Sequence, residues 1–150
     1  MAGFDYIIFC DGSGSTNGNN VEIGGGKAVA FITKDGKTPI EVKVRKFKHP
    51  TTCNEAEYSA CILALEEDIE SNSKILLCTD SLLVVNQMNP TKPWKINYEH
   101  LQLLNNLLKD VIHNFELDVE FRWISRDVNL AGLWIEGKYN VDDELVIIYE

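Results

Sequence analysis

Apolar and polar positions follow two different periods along this chain, and the changes of period mark out its elements. Residues 4–11 (FDYIIFCD) are a nearly continuous apolar run ending in a carboxylate, the pattern of a strand buried on both faces. Lys27–Thr33 (KAVAFIT) reads as a second strand. Residues 40–47 (IEVKVRKF) begin in strict alternation, with Ile40, Val42 and Val44 on one face and Glu41, Lys43 and Arg45 on the other. One wet face places such a strand near a sheet edge. Beyond Asn54 the period lengthens: Tyr58, Cys61, Ile62, Leu65 and Ile69 recur at helical spacing and predict a helix over 54–70. Lys74–Thr79 (KILLCT) is again a continuous apolar strand, followed by Asp80.

Residues 81–88 then read as a short helix, 89–95 (NPTKPWK) as a Pro-containing loop, and 97–115 as a long helix carrying Leu101, Leu104, Leu108, Val111 and Ile112. Residues 117–124 (LDVEFRWI) alternate cleanly and suit a second edge strand. Residues 129–137 form a short helix with Asn129 as its N-cap. The apolar tail 145–149 is expected to dock as extended chain, and the Gly-, Ser- and Asn-rich stretch 12–26 is a loop by composition. The first three strands, joined by turns, form an antiparallel meander; those separated by helices join by parallel crossovers. The doubly apolar strands belong at the sheet centre and the alternating ones at its edges. The expected fold is therefore α/β: a mixed five-stranded sheet of order 3-2-1-4-5 with helices on both faces.

Composition narrows this picture. At 150 residues the chain has the size of a single domain, and 45% hydrophobic with 25% charged residues excludes disorder. No apolar stretch approaches the roughly 18 to 20 residues of a membrane span. The first residues lack a basic stretch followed by an apolar core, so no signal peptide and a cytoplasmic location are expected. Four cysteines (Cys10, Cys53, Cys61, Cys78) contain no CxxC pair, and three sit in apolar surroundings, as reduced core residues do. A net charge of −9 opposes nonspecific adhesion to nucleic acid or anionic membrane, yet permits acidic residues that hold metal ions. The basic cluster Lys43, Arg45, Lys46 and Lys48 suits either a solvated edge-strand face or contact with a duplex.

The expected topology gathers chemistry at one edge. Asp11 and Asp80 end neighbouring parallel strands, at the point where the winding of the sheet reverses and ligand sites form. Glu57, near the start of the intervening helix, reaches the same edge. Singly, each has an ordinary explanation: Asp11 starts a turn, Asp80 caps the next helix, and Glu57 completes a capping box with Asn54, in competition with Thr52 and Glu55. Jointly, three carboxylates would repel, and divalent cations remove that penalty. Two Mg²⁺ ions about 4 Å apart, with Mn²⁺ as a substitute, would activate a water and stabilise the leaving oxygen in a phosphodiester displacement.

The residues around these acids carry a resemblance. Cys10-Asp11-Gly12-Ser13-Gly14, Thr52-Cys53-Asn54-Glu55-Ala56-Glu57-Tyr58, Thr79-Asp80-Ser81 with Leu83-Val84-Val85-Asn86-Gln87, and Trp123-Ile124-Ser125-Arg126 with Asn129 resemble successive motifs of the ribonuclease H family, in its compact reverse-transcriptase-associated and phage-like branch. The resemblance implies a metal-dependent endonuclease that cuts the RNA strand of RNA–DNA hybrids; a monomer is expected. It implies that Asp11, Glu57 and Asp80 bind metal, that Thr52 and Asn54 contact backbone and bases, and that Gly12 and Ser13 contact the RNA strand through the main chain. Trp94 and Lys95 would offer stacking and phosphate contact, with packing as the alternative role of Trp94. Arg126 joins the expected nucleic-acid contacts.

There are departures from the family pattern. Leu82 replaces a polar substrate-contacting residue, and the His-bearing loop of many members is absent, with Ser125-Arg126-Asp127 in its region. None of His49, His100 and His113 is placed to replace it. The fourth acidic position reads Gly132 in Asn129-Leu130-Ala131-Gly132. Glu136, one turn later on the same helix face, would lean back toward the site and complete a catalytic and metal-binding set of Asp11, Glu57, Asp80 and Glu136. Asp127 is the runner-up. Two other functions share these features: a DNA nuclease or junction resolvase of the same fold, and a nucleic-acid-binding module weakened by the loss at Gly132.

Overall fold

The protein, seen in a computed structural model, is described over residues 3–15, 25–67 and 69–149; residues 16–24 of the expected glycine-rich loop lie outside the described residues. Its strands are β1 (Tyr6–Ser13), β2 (Lys27–Thr33), β3 (Pro39–Lys46), β4 (Lys74–Thr79), β5 (Asp118–Trp123) and β6 (Val146–Tyr149). Helices α1 (Cys53–Leu65), α2 (Leu82–Gln87), α3 (Glu99–Asn114) and α4 (Leu130–Ile135) connect them. The sheet order is β5-β4-β1-β2-β3-β6. The expected order 3-2-1-4-5 stands, with one strand added. The apolar tail pairs parallel to β3 from Val42↔Val146 to Arg45↔Tyr149, so β3 is interior and β6 is the edge. β1 extends to Ser13, two residues into the stretch expected as loop.

The two-residue period of β1 divides the core. Tyr6, Ile8 and Cys10 face a layer built from α1 and α3, whereas Ile7 and Phe9 face the opposite layer, where Ala131 of α4 packs with Phe31 and Val42. Continued along the strand, this alternation turns Asp11 toward the α4 side and Gly12 toward α1. Their separate neighbours below follow from it. Cys10, Cys61 and Cys78 are buried and Cys53 is exposed, all as free thiols. No described helix is long and apolar enough to cross a membrane.

The alternation of β3 misleads at Lys43. Its side chain is fully buried rather than solvated. Its ammonium donates to the main-chain carbonyls of Leu63 (3.4 Å) in the last turn of α1 and of Glu66 and Glu67 (3.0 Å) just beyond it, and also lies over the Tyr149 ring of β6. A cation at the negative end of a helix satisfies orphan carbonyls and the helix dipole together. Glu66 is extended and Glu67 has φ 45°, so α1 stops at Leu65, short of the expected residue 70. Arg45 pairs with Glu66 at 3.4 Å, which leaves Lys46 and Lys48 as the exposed members of the basic cluster.

A second buried polar group ties the helices together. Tyr58 Oη donates to Gln87 Oε1 (2.6 Å) and accepts from Asn105 Nδ2 (3.1 Å), which links α1, α2 and α3. Gln87 Nε2 in turn donates to Lys95 O at 3.4 Å, so this network also anchors the loop that carries Trp94 and Lys95.

Lys43→Met keeps most of the buried stem but removes the cation from the end of α1. The expected result in urea denaturation is a loss of about 2–3 kcal/mol, as for a hydrogen-bonded charge removed from a buried site. An unchanged midpoint would mean that water replaces the ammonium without cost.

Candidate metal centre and nucleic-acid edge

Asp11, Glu57 and Asp80 meet at the carboxyl ends of β1 and β4, with one oxygen from each lying within 4.8 Å of the others. Asp11 is held deep in the strand, at 3% exposure. Asp80 directly follows β4, which pairs parallel with β1 up to Cys10↔Thr79, so the two strands release their acids at the same level. The cap of the next helix falls to Ser81, whose Oγ accepts from Val84 N at 3.2 Å, and Asp80 is free of that duty.

Glu57 is brought in by the seating of α1. Thr52 and Glu55 form the capping box, so Asn54 with Glu57 does not. Glycine at two positions of β1 and its exit lets this first turn come close. A Cβ at Gly12 would stand 2.3 Å from the carbonyl carbon of Ala56 and 2.5 Å from Glu57 N, and one at Gly14 would stand 2.6 Å from Cys53 N. Both distances are far inside contact, and backbone cannot yield as a flexible side chain does. The glycines beside Asp11 thus make room for the helix that delivers Glu57, a role beyond the expected main-chain contacts to a nucleic acid.

On the opposite side Asn129 fixes α4. It is fully buried, its Oδ1 accepts from Ala131 N (3.2 Å) as the expected N-cap, and its Nδ2 donates to Cys10 O (2.9 Å). That bond ties the helix to the residue before Asp11. Sequence reasoning found the cap and missed the tie, because the partner is a main-chain oxygen on a distant strand.

Burial sets the electrostatics. It raises the Glu57 carboxyl to about 10, with the charges of Asp11 and Asp80 adding to the effect. Asp11 is raised to about 6, by burial first and by Asp80 second, while a hydrogen bond from Glu57 and the charge of Arg126 pull it down. Asp80 is also raised by burial, against the pull of Arg126. Glu57 Oε2 and Asp80 Oδ2 are buried without a hydrogen-bond partner. Crowded carboxylates with orphaned oxygens are a hard-cation ligand set, and the residues fit a divalent ion.

The other expected site residues divide into two groups. Gly12, Ser13 and Thr52 are half-buried near the cluster, Asn54 is exposed at the start of α1, and Arg126 is exposed in the 3-10 turn Arg126–Val128, where its charge reaches Asp11 and Asp80. Trp94 is 50% exposed and Lys95 is exposed, on the loop between α2 and α3. Leu82 is exposed beside Asp80. His49, His100 and His113 are exposed, and no histidine joins the acid cluster among the described residues. Asp127 is exposed in the same 3-10 turn as Arg126 and lies outside the cluster.

Glu136 departs from expectation: it is not among the gathered carboxylates. Its Oε1 accepts from Arg126 Nε at 2.7 Å and its Oε2 pairs with Lys138 at 3.0 Å. Two nearby cations outcompete a reach back toward three anions. Trp123, which sequence reasoning treated only as part of a motif, is half-exposed and donates its indole N–H to Asp80 O at 3.2 Å. A groove of about 1100 Å³ between α2, α3 and β5 is bordered by His113 but by none of Asp11, Glu57, Asp80, Arg126 and Glu136.

The sequence matches the family model described as RNase H over residues 4–136. No curated protein matches it. Among solved structures it is similar to the N-terminal RNase H domain of a Mycobacterium tuberculosis protein, at 23% identity over 85% of this chain and 86% of that one, with a TM-score of 0.68. LC11-RNase H1 in complex with an RNA/DNA hybrid shares 24% identity over 83% of this chain and 88% of that one, with a TM-score of 0.69. RNase H1 of the halophilic archaeon Halobacterium salinarum gives 23%, 84%, 89% and 0.68 for the same four quantities.

A raised carboxyl favours the folded state below its ordinary value and loses that contribution as pH climbs through the folded value. Without divalent cations, stability contributed by this cluster should therefore fall from about pH 4 upward, the Asp11 part being lost by about 6 and the Glu57 part continuing to fall up to about 10. Glu57→Gln removes the largest part of this loss. In calorimetric melts the variant is expected to gain on the wild type steadily with rising pH, and Mg²⁺ to raise the wild-type Tm more at about pH 8 than at about pH 5. A constant gap across pH would contradict the crowding of charge.

Proposed function

Since the chain belongs to the RNase H family and is by that membership a ribonuclease H, we propose that it cuts the RNA strand of RNA–DNA hybrids internally, using two divalent cations, Mg²⁺ or Mn²⁺. The observation that carries this reading is the convergence of Asp11, Glu57 and Asp80 with two orphaned, buried oxygens at the ends of adjacent parallel strands. These three acids would hold the cations, whose chemistry there would be to lower the pKa of a water and to offset charge on a phosphoryl group.

The chain's own residues bind and orient the substrate. Asp11, Glu57 and Asp80 supply the ligand oxygens, and the two unpartnered ones need no bond to be broken first. Main-chain groups at Gly12 and Ser13 lie beside the acids at the exit of β1, where a 2′-hydroxyl distinguishes RNA from DNA. Thr52 Oγ1 accepts from Glu55 N and retains its own hydrogen to donate to a strand, next to the exposed amide of Asn54. Arg126 offers a planar fork of donors to phosphate. Trp94 and Lys95 stand on a loop fixed from beneath by Gln87, as a stacking face and a cation for the DNA strand.

Gly132 is the one observation that favours a second reading, a module that binds hybrid and cleaves it weakly, because no fourth carboxylate comes from that position. One assay separates these readings: an end-labelled hybrid incubated beside DNA duplex and RNA duplex in Mg²⁺ and in Mn²⁺. Internal cuts in the RNA of the hybrid alone are expected. Asp80→Asn, nearly isosteric, should lower the rate by about a hundredfold or more, because it removes several kcal/mol of charge stabilisation. Binding without cuts in either metal would select the module, cuts in DNA duplex would select a DNA nuclease, and near-normal cleavage by Asp80→Asn would refute the metal assignment.

A further inference from the structure

Helix α4 carries no carboxylate toward the acid cluster at Gly132, where a Cβ would stand 3.0 Å from Asp11 Oδ2. At its end the same helix presents Glu136, which faces Arg126 instead. The bond from Arg126 Nε to Glu136 Oε1, at 2.7 Å, occupies only one of the five guanidinium donors. Lys138 neutralises the second oxygen of Glu136 at 3.0 Å, so this carboxylate has no unmatched charge left to turn toward a metal site. Arg126 is 64% exposed along its side chain, yet its charge is felt at both Asp11 and Asp80. A flexible, exposed arginine beside three acids would otherwise fold down onto them and block the cation ligands. Fixing Nε leaves the two terminal nitrogens free of Glu136, as the donor pair that grips two oxygens of a phosphate.

We propose that Glu136 is a positioning residue: its carboxylate holds Arg126 off the metal ligands, with its free donors aimed at a backbone phosphate of the bound strand. This rests on the hybrid-cleaving reading above, and it replaces the expectation that Glu136 binds metal. Binding of ground state and transition state is served equally, so the signature lies in KM rather than kcat.

The test is a double-mutant cycle of Glu136→Gln and Arg126→Ala, measured as hybrid cleavage and as Mn²⁺ affinity by calorimetry. The same cycle is run as hybrid Kd in the Asp80→Asn background, where cleavage plays no part. For Glu136→Gln we expect KM and Kd to rise about three- to fivefold, as for an exposed pair, with kcat and Mn²⁺ affinity unchanged. Arg126→Ala should weaken binding at least as much, and adding Glu136→Gln to it should change nothing further. An independent effect of Glu136→Gln in the Arg126→Ala background would overturn the proposal, as would a weakened Mn²⁺ affinity with a fall in kcat, the mark of a metal ligand. Tm reports folding throughout, and Glu136→Asp enters the cycle if the Gln variant unfolds. If the wild type binds and does not cut, the catalytic reading fails while the Kd cycle still decides the role of Glu136.

Discussion

Three carboxylates within 4.8 Å of one another repel, and most of the architecture around them serves to hold them in place regardless. β1 and β4 set two of them at one level through parallel pairing, α1 brings the third, and a buried asparagine locks α4 behind the first. None of these supports comes from the acids themselves. The cluster is a strained assembly of charge kept by neutral contacts: backbone pressed on glycine, a capping box, and an amide bound to a strand carbonyl. Burial then works with crowding, raising Glu57 furthest, by desolvation first and then by the charges of Asp11 and Asp80.

Arg126 adds a second level to that electrostatics. It is the cation whose charge reaches both Asp11 and Asp80, and it lowers both against the effect of burial. Its own partner is an acid outside the cluster. Charge around the site is therefore graded, from buried anions to an exposed cation that is itself paired with Glu136, and on the hybrid-cleaving reading a polyanionic strand would find that cation at this edge. This local order matters in a chain with net charge −9, whose overall field repels such a strand.

Much of this was legible in the residues because it depends on short-range rules. The run 4–11 reads as a doubly buried strand since from Tyr6 to Asp11 every position faces a layer, and the acids at 11 and 80 follow from where such runs end. Asn129 reads as a cap from its neighbours alone. Other features depend on what lies across space. β6 is four residues without alternation, and only its pairing with β3 makes it a strand. Lys43 sits at a polar position of an alternating strand, but the end of α1 covers that face and turns its charge into a helix cap. Glu136 lies on the helix face that sequence reasoning assigned, yet Arg126, ten residues earlier, and Lys138, two residues later, decide where its carboxylate goes.

The seating of α1 on Gly12 bears on how loss of function in this chain is to be interpreted. Asp11 and Gly12 are adjacent, and a random screen would score substitutions at both as inactive. At Asp11, on the proposed reading of the acids as cation ligands, the expected defect is chemical, with the fold kept and one ligand oxygen lost. At Gly12 it is steric, since any side chain strikes the backbone of Ala56 and Glu57 and displaces an acid 45 positions away in the chain. Inactivity alone therefore does not identify a catalytic residue along this strand; alternate positions carry the chemistry and the clearance that permits it, and a second-site revertant in α1 is conceivable for one and not for the other.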